Sequence, residues 1–464
     1  MDFEEVSKRI RGKRAFSSGG TQNGIAGEHP SMKICFFTNT FLPHVGGVAK
    51  SVTTFLEDYR RLRQRVMVVA PQFSEGAAPE RIERSVERIE ALQNFNGSDF
   101  SVSLPLSTES TDRILAFKPD LLHAHHPFLL GDTALRVSAV TGAPVIFTHH
   151  TLYEQYTHYV PFDSPRLKEF VIELSTRFAN RCHGVIAPSE SIAELLAQRG
   201  VTTPIRVVPT GIDTKSLASG NRARGRRQWK LPADAVVIGH LGRLAPEKNL
   251  TFLAQAVART LKREKKAWLL VVGDGPSRED IQKILADQGV SERVRFAGKL
   301  TGTALHDAYA AMDTFAFASQ SETQGMVLAE AMAAGNSVVA LDATGAREIV
   351  REKKNGRLLP ATATTTEFAR ALSEIVRDPG LRERYNLAAV AQAANFDRKV
   401  TSVKAMDFYR EVLASHRRDV PRVEEQSLWE RTKERIAVEG QLVSDKVGAA
   451  VKAITAPLSS LAAS

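Results

Sequence analysis

Ser321-Glu322-Thr323-Gln324-Gly325-Met326-Val327-Leu328-Ala329-Glu330-Ala331-Met332-Ala333-Ala334-Gly335 follows an apolar run, Thr314 to Ala318, that reads as a strand. A helical run begins after Gly325, so the segment reads as strand, short loop and helix. Seven residues separate Glu322 from Glu330. The first carboxylate then falls in the loop. The second falls about one and a half turns into the helix, at ~3.6 residues per turn. A ligand at that helix N-terminus meets free backbone N–H groups and the positive end of the dipole, which suits phosphate. Carboxylates only accept hydrogen bonds, so two of them suit the hydroxyls of a sugar and a ribose. Spacing alone would equally fit a solvated glutamate at each position.

The surrounding chain repeats this strand–helix unit. Apolar runs at Ile34–Phe37, Val66–Ala70, Leu121–His125, Val145–Thr148 and Val185–Ala187 read as buried parallel strands. Val52, Phe55, Leu56, Tyr59 and Leu62 fall on one face of an intervening helix. A second series begins near residue 206, with strands Val236–Leu241, Trp268–Val272, Val294–Phe296, Thr314–Ala318 and Val338–Leu341. Two βα arrays predict an α/β protein of two doubly wound domains. Turn-forming residues, Pro209-Thr210-Gly211-Ile212-Asp213, mark the join. Ligands in such sheets bind outside the carboxyl ends of the strands, so two facing sheets would make a cleft. The expected division is a disordered Gly- and Ser-rich extension over 1–30, a first domain over 31–209 and a second over 210–395. A helix over 396–418 and an amphipathic tail over 419–464 complete it. In the tail, Trp429, Ile436, Leu442, Val443, Val447, Val451 and Ile454 recur at helical spacing.

Composition narrows the class. No segment approaches the ~18 to 20 apolar residues of a membrane span, and the N-terminus lacks a signal-peptide apolar core, so a cytoplasmic location is expected. Cys35 and Cys182, the two cysteines, read as reduced, packed thiols. No Cys/His spacing resembles a zinc site. The net charge of +10 is uneven. Residues 31–210 carry 18 Lys+Arg against 18 Asp+Glu, whereas 211–415 carry 31 against 23. The excess lies in the half expected to hold an anionic ligand, which argues against nucleic acid as the partner. Two basic clusters, Arg60, Arg61, Arg63 and Arg65, and Arg222, Arg224, Arg226, Arg227 with Lys230, suit anionic lipid, phosphate or plain solvation.

Leu241-Gly242-Arg243-Leu244-Ala245-Pro246-Glu247-Lys248-Asn249 ends a strand of the second series. Arg243 offers a planar fork of donors and Lys248 a compact charge, and both suit a diphosphate. Val272-Gly273-Asp274-Gly275-Pro276 ends the next strand, where Gly273 and Gly275 would let backbone approach a ligand or simply make a turn. Together these segments resemble family 4 retaining glycosyltransferases of the GT-B fold, with their E-x(7)-E and G-R-x(4)-K elements. The chain is similar in particular to bacterial lipid glycosyltransferases of the diacylglycerol type. The resemblance covers residues 33 to about 415, and it implies an acceptor domain over 31–209, a nucleotide-sugar domain over 210–395 and a helix over 396–418 that crosses back to the first domain. It implies that Glu322 holds the donor sugar and Glu330 the ribose. Arg243 and Lys248 would neutralise the leaving diphosphate. Gly273, Gly275 and Lys299, the last in Phe296-Ala297-Gly298-Lys299, would border the base, and Gly325 would open the phosphate-facing helix.

In the first series, Thr38-Asn39-Thr40-Phe41-Leu42-Pro43-His44-Val45-Gly46-Gly47 departs from G-x-G-x-x-G, which lowers a dinucleotide-oxidoreductase reading. Gly46 and Gly47 resemble the family's diphosphate and acceptor loop. Asn39 stands where relatives often carry Asp, so no charge-dependent role is assigned to it. In Leu122-His123-Ala124-His125-His126, alternation sends His123 and His125 to one face and His126 to the other. The family's strand-end histidine faces the donor sugar, and His125 matches best, although a buried structural histidine fits any of the three. The loop Thr148-His149-His150-Thr151-Leu152-Tyr153-Glu154-Gln155-Tyr156-Thr157-His158-Tyr159-Val160-Pro161 resembles segments of the lipid-acting members. His149, Tyr153 and Tyr156 there are acceptor candidates, or a packed aromatic loop.

The reading is therefore a hexosyltransferase that uses a nucleotide sugar and neither a metal nor another cofactor. UDP-glucose is the expected donor and GDP-mannose the alternative. A membrane lipid such as diacylglycerol is the expected acceptor, with a soluble sugar as the alternative. The enzyme is expected on the inner face of the cytoplasmic membrane, with Phe55, Tyr59 and Arg60–Arg65 meeting anionic lipid. A non-catalytic sugar-nucleotide binder is the rival from another class.

Overall fold

The computed structural model describes residues 31–44, 46–73, 78–92, 102–157, 164–419 and 428–455. The expected extension over 1–30, residues 158–163 of the aromatic loop and the side chain of Trp429 lie outside this description. Of these described residues, those up to Ala187, Ala193–Val207 and those from Met406 onward form one compact unit. Pro188–Ile192 and Val208–Ala405 form the other.

The first unit is built on a seven-stranded parallel sheet. Its strands are β1 (Lys33–Phe37), β2 (Arg65–Pro71), β3 (Val86–Ile89), β6 (Leu121–Ala124), β7 (Val145–Thr148), β8 (Gly184–Ala187) and β9 (Ile205–Val207). A small antiparallel pair, β4 (Ala91–Leu92) and β5 (Val102–Ser103), intervenes in sequence. The sheet order is β3-β2-β1-β6-β7-β8-β9. Central strands β6, β7 and β8 are buried along their whole length, and burial on both faces requires a continuous apolar run. The edge strands β3 and β9 read Val-Glu-Arg-Ile and Ile-Arg-Val. Charges interrupt them, as edges that avoid further pairing require, and the apolar-run criterion therefore passed over both.

Helix Gly47–Arg61 buries Val52, Phe55, Leu56 and Tyr59 against this sheet. Each such side chain removed from water contributes ~1.5–3 kcal/mol. Leu62 follows the helix and is 39% exposed. Phe55 and Tyr59 are in the core, so the expectation that this face meets lipid is corrected.

The second unit carries a six-stranded parallel sheet of β10 (Val236–Leu241), β11 (Ala267–Val272), β12 (Val294–Gly298), β13 (Thr314–Phe317), β14 (Ser337–Leu341) and β15 (Gly356–Leu359). Its order is β12-β11-β10-β13-β14-β15. The edge strand β15, Gly-Arg-Leu-Leu, again lacks the apolar signature. Helices Leu250–Arg263 and Thr365–Arg377 bury aliphatic residues on one face, and Gly302–Ala311, Met326–Ala333 and Pro379–Ala393 on the other.

Both sheets reverse their strand order once, between β1 and β6 and between β10 and β13. At such a switch point the loops leaving the two strands diverge and open a crevice. Loops 38–46 and 125–129 leave the first, and loops 242–249 and 319–325 leave the second.

Candidate functional site

In the second unit the two switch-point loops are bound to each other. Lys248 Nζ donates to Glu322 Oε1 at 2.5 Å, both side chains being largely shielded. Ser319 Oγ donates to the same oxygen at 3.2 Å. Ser321 Oγ donates to the Glu247 carbonyl at 3.1 Å, and Asn249 Nδ2 to that of Ala318 at 3.2 Å. Local sequence produces this. Pro246 opens a 3-10 turn, Pro246–Lys248, and Asn249 closes it at φ 54°, a conformation asparagine tolerates. The turn carries Lys248 back toward β13. Arg243 is exposed on the same loop. An ammonium and a carboxylate thus meet beside the strand ends, on the loop that also carries the Arg243 guanidinium, groups complementary to a diphosphate and sugar hydroxyls.

His240, on β10, escaped the sequence reading. It is buried, its Nδ1 lies 3.1 Å from the Ala316 carbonyl, and its Nε2 has no hydrogen-bond partner among the described residues. Burial pushes its pKa down to about 4, so the ring is neutral at pH 7 with the proton on Nδ1.

Glu330 lies in the second turn of helix Met326–Ala333 and is 3% exposed. Its Oε2 accepts from the Tyr309 hydroxyl at 2.8 Å. Burial, reinforced by the Glu330 charge, raises the Tyr309 phenol far above its ordinary range and keeps it a donor. Tyr309, on helix Gly302–Ala311, gave no sequence signal beyond an apolar helix face.

Gly325 caps the Glu330 helix at φ 71°. The preceding Gln324 is buried and grips Thr210 twice, accepting from its N–H at 2.7 Å and donating to its carbonyl at 2.8 Å. Ser189 Oγ donates to the Thr323 carbonyl at 2.7 Å, which ties Pro188–Ile192 into this unit. The sequence reading placed no residue before 210 here.

Gly273 and Gly275 have φ values of 128° and 153°. A Cβ at Gly273 would lie 1.9 Å from the Gly242 carbonyl oxygen, and one at Gly275 2.4 Å from that of Leu244. What these glycines approach in the structure is the backbone of the neighbouring loop that carries Arg243. Lys299 follows β12. The Gly275 N–H first, then Arg278 and Lys299, hold the Asp274 carboxyl below its ordinary range.

In the first unit, His123 and His125 share a face with ring centroids 4.0 Å apart. His126 turns away, and its Nδ1 accepts from the Asn39 N–H at 3.1 Å. His125 Nδ1 lies 2.9 Å from His150 Nε2, while its Nε2 has no partner among the described residues. His123 joins Thr148 Oγ1 at 2.6 Å through Nε2 and the Tyr409 hydroxyl through Nδ1. Tyr409 also receives the Tyr59 hydroxyl at 3.2 Å. Burial pushes His123 and His126 down to about 3, and His125 well below its ordinary value. Asn39 donates to the Phe128 carbonyl and accepts from the Leu130 N–H, both at 3.1 Å. An ionised Asp could not donate the first of these bonds. Gly46 caps helix Gly47–Arg61, and a Cβ at Gly47 would meet nothing within 4 Å.

The acceptor candidates divide. His149 is wholly buried and packs edge-on to Tyr153 at 5.5 Å, and burial pushes it down to about 3. The Tyr153 hydroxyl is buried as well. Neither presents a polar tip outward in this conformation, contrary to expectation, while Tyr156 is half-buried. Of the basic clusters, Arg222 and Arg226 pair with Asp313, and Arg224 with Asp307, so those cations serve the fold. Arg63 and Arg65 are exposed; Arg60 binds the Arg81 carbonyl, and Arg61 binds Asp58. Both cysteines are buried free thiols. Among the described residues no three His, Cys, Asp or Glu side chains gather as a metal site, and no helix is long and apolar enough to cross a membrane.

Comparison with known proteins identifies the family and the fold. The pattern of Glycosyltransferase Family 4 covers residues 45–216, and that of Glycosyl transferases group 1 covers 221–391. An alpha-monoglucosyldiacylglycerol synthase of Streptococcus pneumoniae is 29% identical over 70% of this chain and 75% of its own. A GDP-mannose-dependent alpha-mannosyltransferase of Mycolicibacterium smegmatis is 30% identical over 77% of this chain and 92% of its own. Among solved structures, Anabaena HepE in complex with UDP-glucose aligns with a TM-score of 0.62 at 24% identity, over 83% of this chain and 100% of that one. Sucrose-phosphate synthase from Thermosynechococcus elongatus aligns at 0.68 and 21%, over the same shares. The structural likenesses carry the GT-B fold, two Rossmann-like units. With the curated relatives and both family patterns, they establish that this chain is a glycosyltransferase belonging to family 4.

Proposed function

We propose that this glycosyltransferase moves glucose from UDP-glucose to a membrane lipid such as diacylglycerol, with retention at the anomeric carbon and no metal ion. The observation that carries the donor half is the Lys248–Glu322 pair beside exposed Arg243 at the switch point of the second sheet. As the sugar C1–O bond breaks, its electrons pass to the diphosphate, the acceptor hydroxyl oxygen forms the new bond to C1, and the hydroxyl proton passes to the departing diphosphate. Charge placed on the departing diphosphate lowers that barrier. Arg243 and Lys248 supply it without a cation from solution. An arriving diphosphate competes for Lys248, which leaves Glu322 to accept from sugar hydroxyls. Glu330 accepts from the ribose, Gly325 opens the phosphate-facing helix and Lys299 borders the base. By the family resemblance His125 contacts the sugar and Gly46 and Gly47 the diphosphate.

The acceptor half rests on the two diacylglycerol-type synthases among the relatives and on the exposed Arg63 and Arg65. These cations suit the anionic inner face of a cytoplasmic membrane. A second reading, a GDP-mannose-dependent mannosyltransferase, is favoured by the relative matched along 92% of its length. A soluble acceptor is favoured by relatives named for D-inositol 3-phosphate. Mass spectrometry of products after incubation with a donor panel, and with lipid extract or inositol phosphate, decides among them. A glucosylated diacylglycerol from UDP-glucose is the expected product. Transfer only from GDP-mannose, or only to the soluble acceptor, overturns the first reading.

A further inference from the structure

Helix Leu428–Thr455 lies against helices Leu130–Thr141 and Pro165–Arg181 of the first unit. Its docked face buries Leu442, Ala449 and Ala453. Ion pairs fasten it: Lys446 to Asp132 at 2.9 Å, Lys452 to Glu173 at 2.6 Å, Glu439 to Arg136 at 2.5 Å, and Asp445 to Arg181. The sequence pattern grouped Leu442 with the other apolar residues, but the structure separates them. Ile436, Val443, Val447, Val451 and Ile454 are all on the outer side, each between 54% and 67% exposed. Such a contiguous aliphatic patch, on the order of a few hundred Å², marks an interaction surface.

The outer face has internal order. Ile436, Gly440, Val443, Val447, Ala450 and Ile454 succeed one another in alternating steps of four and three. That is the 3.5-residue period of a helix pair. The side-chain sizes also nearly mirror about the point between Val443 and Val447. A second, antiparallel copy related by a two-fold axis there sets Ile436 against Ile454, Gly440 against Ala450 and Val443 against Val447. Large then meets large and small meets small, the self-complementarity an isologous interface needs.

We propose that this face pairs with the same helix of a second copy, forming an antiparallel two-fold dimer. A lipid surface fits less well. Residues 436–455 contain no aromatic side chain, and their two acids and two lysines are all spent on the first unit. Interfacial helices use bulky apolar residues beside an excess of cations. The seam spans about 28 Å at 1.5 Å per residue. Two copies would bury on the order of 1,000 Å², the lower end of specific interfaces, so association is weak and concentration-dependent.

Sedimentation equilibrium of the full chain tests this, over about a hundredfold range around micromolar concentration, where the low-end interface places the transition. The wild type is expected to pass from monomer to dimer. V443E/V447E is expected to shift the transition at least about tenfold, a loss of 1.4 kcal/mol or more, with an unchanged thermal melt because both side chains are exposed. V443E/V447K, whose charges meet opposite signs only in the antiparallel register, is expected to retain more dimer than V443E/V447E. A monomeric wild type, or a V443E/V447E transition equal to that of wild type, overturns the proposal. Equal loss in the two double variants overturns the antiparallel register. A wild type that stays monomeric yet binds zwitterionic vesicles through these residues assigns the face to lipid and likewise overturns it.

Discussion

Lys248 Nζ and Glu322 Oε1 lie 2.5 Å apart, although the two residues are 74 positions apart in the chain. The pair joins the loops that leave β10 and β13. In this state each charge answers the other, and in the proposed function the diphosphate would meet the first and the sugar hydroxyls the second.

Lys248→Ala and Arg243→Ala are each expected to lower kcat on the order of 10²-fold, as loss of one charge-stabilising donor does. Arg243→Lys should recover only part, because the fork geometry is gone. Steady-state kinetics with saturating donor checks this. Near-normal turnover in either alanine variant would remove that residue from the diphosphate role.

Glu330→Ala is expected to raise the donor KM and to weaken the fold, since the buried Tyr309 hydroxyl loses its acceptor. Leaving one such group unsatisfied costs about 1–3 kcal/mol. Tyr309→Phe removes the buried donor instead. It should cost at least comparable stability, because a buried carboxylate loses a donor, and should still disturb donor affinity, because Glu330 loses a bond that orients it. Urea denaturation and donor titration separate the effects. Unchanged donor affinity in both variants would confine the pair to a structural role.

Acid should destabilise the first unit steeply. Burial depresses the folded pKa of His123, His126 and His149 to about 3, from an ordinary value of 6.5. Neutral in the fold and protonated when unfolded, these rings contribute stability that is present above pH 6.5 and lost as pH falls toward 3. Each fully buried ring contributes a slope of about 1.4 kcal/mol per pH unit in that window. Denaturant midpoints between pH 7 and pH 4.5 measure it, and a flat profile would show that these rings take protons in the fold.

Chelation is expected to leave transfer intact, since in the proposed mechanism Arg243 and Lys248 take the part a divalent ion plays elsewhere. Activity assayed after exhaustive chelator treatment checks this. Loss that is restored by one divalent metal would contradict it.

Arg63→Gln with Arg65→Gln should reduce binding to anionic vesicles and leave donor binding unchanged. Each near-surface cation is worth about 1 kcal/mol, so the pair should shift partitioning by ~10-fold or more at low salt. Arg61 is a poor probe, because it pairs with the buried Asp58. Cosedimentation that is indifferent to both changes, or absent in the wild type, would favour a soluble acceptor.

The sequence by itself determined the interior strands of both sheets, because burial on two faces demands unbroken apolar runs such as Val145–Thr148 and Val338–Leu341. It also placed Glu322, Arg243 and Lys248 in loops that follow strands, where the structure puts them. It was blind to the edges β3, β9 and β15, where charges protect unpaired backbone at the cost of the apolar signal. Only the tertiary structure decided the partners. Tyr309 under Glu330, Gln324 on Thr210, and Tyr409 on His123 across 286 residues are contacts that no local pattern encodes. A hydrogen bond depends on where the fold delivers two groups, and each of these arrives on a different element. Periodicity likewise showed that the tail helix has apolar residues at helical spacing. Which of them would be covered depended on the acids and bases of the helices it met, and those turned Leu442 inward and left Val443 and Val447 outside.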